Sequence, residues 1–479
     1  MTTFRLAIIG GGFTGAIFAV HFLRAFSGRA DITLFEPRET LGAGVAYGTD
    51  SRQFRINVPS DKMFVFAEDP DHFARWMWAE GNDTADPDGF TAAGDHYSLR
   101  HDFGAYMDAL LRESAEEKDA RLLHRRVPAE LVERRADGTF HITDSSGEKI
   151  EADAVLVSAS HAAPGFPWPL EDGAADLPGL VVNPWAPDAY RDIPPDGDVL
   201  VIGTGLSMAD VVVSLDAAGH TGRITALSRR GLVPAEQGEF DSDFDLFGKD
   251  DPPRTAVALL RLLRTRARDL AAAGRQWFPA IDALRRALPH YWSTLPIPER
   301  ARLLRHLRTY WDVHRYRMAP KVHDRLARDQ ASGRLTIAAG RIERIGREGD
   351  LFAVDWRPRR SDRSVAPLRL RVAGIINCTG PAANPARSPV PLFRNLVATG
   401  LARPDPLGIG LDVAPDGTAL GADGRPVPHL LVAGPLARGR FGETMGVPDA
   451  SANARLVAEA LVRDLASAPS AKAPATAAP

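Results

Sequence analysis

The chain predicts an α/β protein in which two parallel-sheet, Rossmann-type units carry a helical insertion. Three observations support this. Apolar runs end in glycine turns that open helix-forming stretches at two places, residues 6–15 and 199–210. Further continuous apolar runs recur at 31–35, 154–158, 223–227, 374–377 and 430–433, the pattern of parallel strands covered on both faces. Between about 254 and 330 the pattern becomes helical, as in Ala258-Leu-Leu-Arg-Leu-Leu-Arg264, which marks the insertion.

At 479 residues and 44% apolar content the chain has material for more than one core. A net charge of −3 gives no general attraction to nucleic acid or an anionic membrane. The single cysteine, Cys378, excludes an internal disulfide framework and a Cys-x-x-Cys electron relay. The first strand starts at Phe4 with no apolar leader, and no run of about 18 apolar residues occurs, so a cytoplasmic protein without membrane contact is expected. Alternation near 139–143 and 351–356 predicts antiparallel strands. The Ala/Pro/Ser stretch 467–479 is expected to be a disordered tail.

In the first unit, Gly10-Gly11-Gly12-Phe13-Thr14-Gly15 follows a strand and opens a helix, and Glu36 ends the next strand. Gly10 permits the tight turn, Gly12 the approach of backbone to pyrophosphate, and Gly15 the packing of helix on sheet; Glu36 suits a ribose. Later segments point to FAD. Residues 153–160 and 374–380 are apolar strands ending in small residues, of the kind that cross between two nucleotide units, and Leu430-Leu-Val-Ala-Gly434 precedes a helix opened by Pro448. The expected FAD contacts are Gly10, Gly12, Phe13, Thr14, Gly15, Glu36, Gly44, Tyr47, Asn57, Val127, Ser160, Thr379, Gly380, Gly434 and Pro448.

The second unit repeats the arrangement as Gly203-Thr-Gly205-Leu206-Ser207-Met208, with methionine in the third glycine's place. Its next strand ends in Arg229-Arg230 rather than an acid, which suits the 2′-phosphate of NADP. Gly203, Gly205, Leu206, Ser207, Arg229 and Arg230 are therefore the expected NADPH contacts. The layout implied is a two-dinucleotide-binding flavoprotein, glutathione-reductase-like. Residues 1–165 and 371–466 hold FAD, and 166–370 hold NAD(P)H with the insertion at 250–330.

Several runs resemble a bacterial family of FAD/NAD(P)-binding proteins, itself similar to amine N-hydroxylases and flavin-containing monooxygenases. They include the two fingerprints, Gly42-Ala-Gly44-Val-Ala-Tyr47, Asn57-Val-Pro59, Arg100-His-Asp-Phe-Gly104 and Trp311-Asp-Val-His314-Arg315-Tyr-Arg317. The resemblance implies a single-component monooxygenase that oxygenates a small amine or other soft nucleophile with O2 through a flavin C4a-hydroperoxide. The Phe-x-Gly-x-x-x-His motif of Baeyer–Villiger and flavin-containing monooxygenases has no counterpart; the nearest run is Leu177-Pro-Gly179-Leu-Val-Val-Asn183.

Two alternatives stay open at this point: an NAD(P)H oxidase or dehydrogenase without oxygen insertion, and a non-catalytic FAD-binding redox sensor. Asn57 and Lys62 are the candidate catalytic residues, as donors to flavin or substrate. In the insertion, Trp277, Asp282, Arg285, Trp292, Trp311, His314, Arg315 and Arg317 could shape a pocket or simply form core. No metal site is read, and a homo-oligomer is left open. The substrate is not legible.

Overall fold

A computed structural model describes residues 3–467 except 50, 163, 187, 239, 240, 242, 249, 250 and 363. Residues 468–479 of the expected tail lie outside the described residues. Among the described residues the strands form three sheets.

The first sheet has the order Thr418–Leu420, Pro426–Val432, Ala154–Val157, Phe4–Ile9, Ala30–Phe35, Arg121–Arg125. All its pairs are parallel except the edge pair of Thr418–Leu420 with Pro426–Val432. Ile9 lies opposite both Phe35 and Val157, so three strands end together beside the first glycine turn. The helix Phe13–Ala25 is buried over most of its length, between the helices Arg100–Glu117 and Val447–Ser467. Its apolar residues, with Ile8, Phe66, Phe103 and Leu431, make one contiguous core.

The second sheet has the order Leu368–Val372, Leu351–Pro358, Leu335–Glu348, Ile224–Ser228, Val199–Ile202, Gly374–Asn377, Leu180–Val181. Its strands from Leu335–Glu348 to Leu180–Val181 pair in parallel, and its far edge is antiparallel. The third sheet is an antiparallel meander, Ala129–Arg134, Phe140–Asp144 and Lys149–Ala152.

Two placements differ from expectation. The strand Gly374–Asn377, expected with the first unit, pairs with Val199–Ile202 in the second sheet. The reason is packing: the turn at Gly203 needs a neighbouring strand end, and Cys378 provides it. The chain crosses to the first unit only afterwards, and Ala162 and Ala382 form an antiparallel bridge where the two crossings meet. Secondly, the helix Pro320–Ala331, expected inside the insertion, covers the second sheet. Leu326 joins the core of Val201, Met208 and Ile376, and Arg325 pairs with Asp216 of the helix Leu206–Ala217. The insertion itself comprises the helices Ala256–Ala272, Phe278–Thr294, Ile297–His306 and Arg308–Arg315, with a small core around Leu259, Leu284, Leu288 and Trp292.

Candidate nucleotide sites and substrate cavity

The first strand feeds directly into Gly10, whose φ of +102° is readily reached only by glycine. A Cβ there would lie 2.6 Å from the backbone of Ala159, and one on Gly15 would overlap the carbonyl oxygen of Gly10. The helix Phe13–Ala25 has no side-chain cap and no acidic residue in its first turn, leaving its terminal amides to an anion. Facing this turn, a Cβ on Gly12 would lie 3.3 Å from Gly44 Cα. The two glycines thus hold open a slot that side chains would fill, and a dinucleotide pyrophosphate fits its chemistry.

Around the slot, Glu36 is buried at the end of its strand. Its Oε1 accepts from the Arg38 amide at 3.1 Å and from Arg38 Nη1 at 3.0 Å, which orients the carboxylate for a ribose. Tyr47 packs on Phe103 with centroids 4.7 Å apart, and burial pushes its hydroxyl up to about 12, so it remains a donor. Gly434, at φ +72°, abuts Thr14 and donates its amide to Asn453 Oδ1 at 2.8 Å. Pro448 lies in the first turn of the helix Val447–Ser467. Val127 is half-buried beyond the strand Arg121–Arg125. Ser160 is exposed; Ser158 is the residue that reaches the turn, donating to Gly10 O at 2.9 Å. Thr379 and Gly380 follow the strand Gly374–Asn377 at the end of the second sheet, so they reach the first unit only along the crossing.

In the second unit Gly203 has φ +119°, and a Cβ on it would overlap Cys378 O. Leu206 and Ser207 begin a helix that likewise lacks a side-chain cap or an early acid. Gly205 has nothing within 4 Å of its would-be Cβ, so this cradle is open where the first is walled. Met208 is fully buried, in one core with Val181 and Val201; the third glycine's place is filled by packing and the turn keeps its shape. Arg229 is exposed and makes no ion pair or hydrogen bond among the described residues. Arg230 instead donates to His306 O at 3.2 Å and lies 4.8 Å from the centroid of the Tyr310 ring. Arg100 and Asp210 join the two units through a bidentate pair, both contacts at 2.9 Å.

The insertion docks on the first unit through residues 315–317. Asn57 Nδ2 donates to Arg317 O at 3.1 Å, and Gln237 Nε2 donates to Asn57 O. Arg317 is buried and pairs with Asp282 at 2.8 Å. Arg285 and Arg315 meet Asp449 at 2.9 and 3.4 Å, and the Tyr316 hydroxyl donates to Glu443 at 3.4 Å. Trp292 is core, donating Nε1 to Gly439 O at 3.0 Å. Lys62, by contrast, is exposed and paired with Asp61 at 2.8 Å; the structure does not bring it to Asn57's partners.

Trp277, Trp292, Trp311 and His314 line an open cavity of about 480 Å3 between the insertion and residues 438–443. Its walls are mostly apolar, led by leucine and tryptophan, and its polar residues include Arg308, Asp312, Tyr316, Arg438 and Glu443. Burial, reinforced by Glu443, holds the Tyr316 hydroxyl well above its ordinary range; burial also raises the Asp312 carboxyl. Arg438 and Asp449 escaped the sequence reading, although Arg438 lies four residues after Gly434. Among the described residues no cluster of metal-ligating side chains occurs, and no helix is long and apolar enough to cross a membrane.

Residues 7–162 match a family model described as FAD-NAD(P)-binding. No curated protein matches the chain. Among solved structures, L-lysine 6-monooxygenase from Pseudomonas syringae is similar at TM-score 0.63 and 18% identity, over 96% of this chain and 99% of that one. The ornithine N-hydroxylase of Kutzneria sp. 744, whose structure is described with reduced FAD, NADP+ and L-ornithine, gives TM-score 0.61 and 15% identity over 97% and 99%. The FAD-bound cadaverine monooxygenase of Erwinia amylovora gives 0.61 and 13% over 97% and 95%. At these identities the likeness is one of fold. Residues 7–162 therefore carry an FAD-NAD(P)-binding domain, and the chain as a whole has the two-dinucleotide flavoprotein fold shared by these amine monooxygenases.

Proposed function

We propose that this protein is an FAD-dependent, NADPH-using monooxygenase that oxygenates an amine or another soft nucleophile. The observation that carries this reading is the presence, in one chain, of a walled dinucleotide slot, an open one, and an apolar cavity with a polar end that includes Arg438 and Glu443. Bound FAD would supply hydride acceptance from NADPH and activation of O2.

The chain's own residues have separable tasks. Gly10, Gly12 and the uncapped helix behind them bind pyrophosphate, and Glu36 orients the adenosine ribose. Arg229, without an ion pair or hydrogen bond among the described residues, holds the 2′-phosphate of NADPH. Asn57 is a positioning residue: through Arg317 O it fixes the insertion against the first unit. The insertion keeps water from the reacting centre, a general requirement for oxygen chemistry on flavin. The uncharged Tyr316 hydroxyl and the Glu443 carboxylate can then hold a polar substrate group at the inner end of the cavity. The open second cradle suits a cofactor that must come and go in each turnover, while the walled first one suits a cofactor that stays.

The test is an anaerobic titration of the flavin-loaded protein with NADPH and NADH, followed by air with and without candidate amines. Bleaching by NADPH and a hydroxylated product formed in proportion to NADPH consumed is the expected result. Peroxide equal to NADPH with every amine would make the protein an oxidase, and absence of bleaching by either nicotinamide would remove the enzymatic reading.

A further inference from the structure

We propose that the cavity takes an amphipathic carboxylate, its apolar body among the leucines and tryptophans of the insertion and its anionic head on Arg438. As an account of the substrate this rests on the monooxygenase reading; as a binding site it stands alone.

The argument starts from an imbalance of charge. Near the polar end, four other arginines each have a carboxylate partner. Arg308 lies 3.6 Å from Asp312, Arg315 lies 3.8 Å from Glu443, Arg285 meets Asp449 and Arg317 meets Asp282. Arg438 lines the same cavity, yet its guanidinium makes no ion pair or hydrogen bond with any described residue, and its Nε is wholly shielded from solvent. Asp312 and Glu443 act on it only from beyond ion-pair distance. Leaving the shielded Nε of this half-buried guanidinium unpaired is costly, and a planar, permanently charged fork matches a carboxylate better than any other common ligand group.

A second group reports the same field. His161 Nε2 is buried without a partner, and its imidazole is pushed down to about 4 by burial, then by Arg438 and Arg308. Burial is the larger cause, and the positive field of Arg438 and Arg308 adds to it. The rest of the cavity sets the body of the ligand. Leu259, Leu263, Leu284, Leu288, Trp277 and Trp311 offer an apolar wall, and a volume of about 480 Å3 falls in the range of sites that enclose drug-sized molecules. A short, polar diamine would leave those walls wet; an apolar chain or ring of comparable size would dry them, with a gain proportional to the area covered.

The proposal is tested by binding, on the flavin-loaded protein without NADPH, using three probes of equal chain length: decanoate, decanol and decylamine. Tryptophan fluorescence reports occupancy through Trp277 and Trp311. Decanoate is expected to bind roughly 10- to 100-fold more tightly than decanol, the worth of a charge-assisted pair, with decylamine weakest. Arg438→Met should remove the preference for decanoate while leaving decanol affinity within about threefold, and Arg438→Lys should restore part of it. Equal affinities, a preference for decylamine, or no binding of any probe by the wild-type protein would overturn the proposal, and the wild-type comparison decides even if the variants do not fold. Decanoate binding without flavin bleaching by NADPH would keep the site and remove the monooxygenase; bleaching without decanoate binding would do the reverse.

Discussion

The two glycine turns are built to one plan and differ in what closes them. Gly10 and Gly203 both take a positive φ and both pack on the end of the neighbouring parallel strand, at Ala159 and Cys378. From there they diverge. Gly12 is met by Gly44 across a narrow slot, whereas Gly205 looks onto open space. Gly15 lies under its own turn with no room for a methyl group, whereas Met208 fills the equivalent place and belongs to the core. One site ends in a buried acid, Glu36, and the other in an unpaired exposed base, Arg229. The same strand–turn–helix unit thus occurs in a walled and an open form, and what differs is the segment that folds over the turn.

The sharpest way to break this comparison is to exchange the third positions. Gly15→Ala forces a Cβ into Gly10 O, and should cost about 3 kcal/mol or more and yield flavin-free protein. Met208→Ala empties core volume and should cost about 2–5 kcal/mol while flavin stays bound. Urea unfolding and the 450 nm absorbance measure both, and retention of flavin by Gly15→Ala at wild-type stability would refute the assignment of that contact.

Acid should loosen the first unit selectively. His21, on the first helix, is hydrogen bonded to Ser451 at 3.1 Å, and burial, with Arg24 and Arg455, pushes its imidazole down to about 4 from an ordinary 6.5. The unfolded chain therefore binds a proton between these values that the fold refuses. Stability from this group is complete above pH 6.5, falls as pH is lowered, and has lost at most about 3 kcal/mol once pH passes 4. His21→Gln should flatten the urea midpoint over that window relative to wild type; an unchanged slope would show the imidazole charging in place.

Smaller effects sharpen the second site. Arg229→Ala should lower the preference for NADPH over NADH by about 1–3 kcal/mol in kcat/KM. Arg230→Ala should do less, since His306 and Tyr310 already engage that side chain. Equal effects would mean that Arg230 leaves those partners when the cofactor binds. Least of all, Gly205→Ala meets nothing within 4 Å at φ −86° and should raise unfolding stability by about 0.4–1 kcal/mol through the unfolded chain. Destabilisation there would show that the second cradle is tighter than it looks.

Both turns, their strands, the helical insertion and Glu36 were legible because each depends on a short stretch of chain. Runs of apolar residues and glycine spacing are local signals, set by backbone geometry and burial period. The sheet to which residues 374–377 belong was not legible, because a continuous apolar strand fits either sheet and only the demand of Gly203 for a neighbour selects one. Lys62 read as a candidate next to Asn57, yet only Asn57 points to the insertion, a contact across 260 positions of chain. Ser158 rather than Ser160 touches the first turn for a similar reason: alternation along an extended chain gives two equivalent candidates, and the turn's position chooses between them.

By itself, then, the sequence determined two glycine turns of unequal quality and a helical insertion, because these follow from local propensity and periodicity. Tertiary structure alone decided which turn is walled, that Met208 is core, and that Arg438 has no ion pair among the described residues lining the cavity. Those facts are sums over side chains brought together from distant parts of the chain, and the balance of charge or volume at a point in space has no local signature to read.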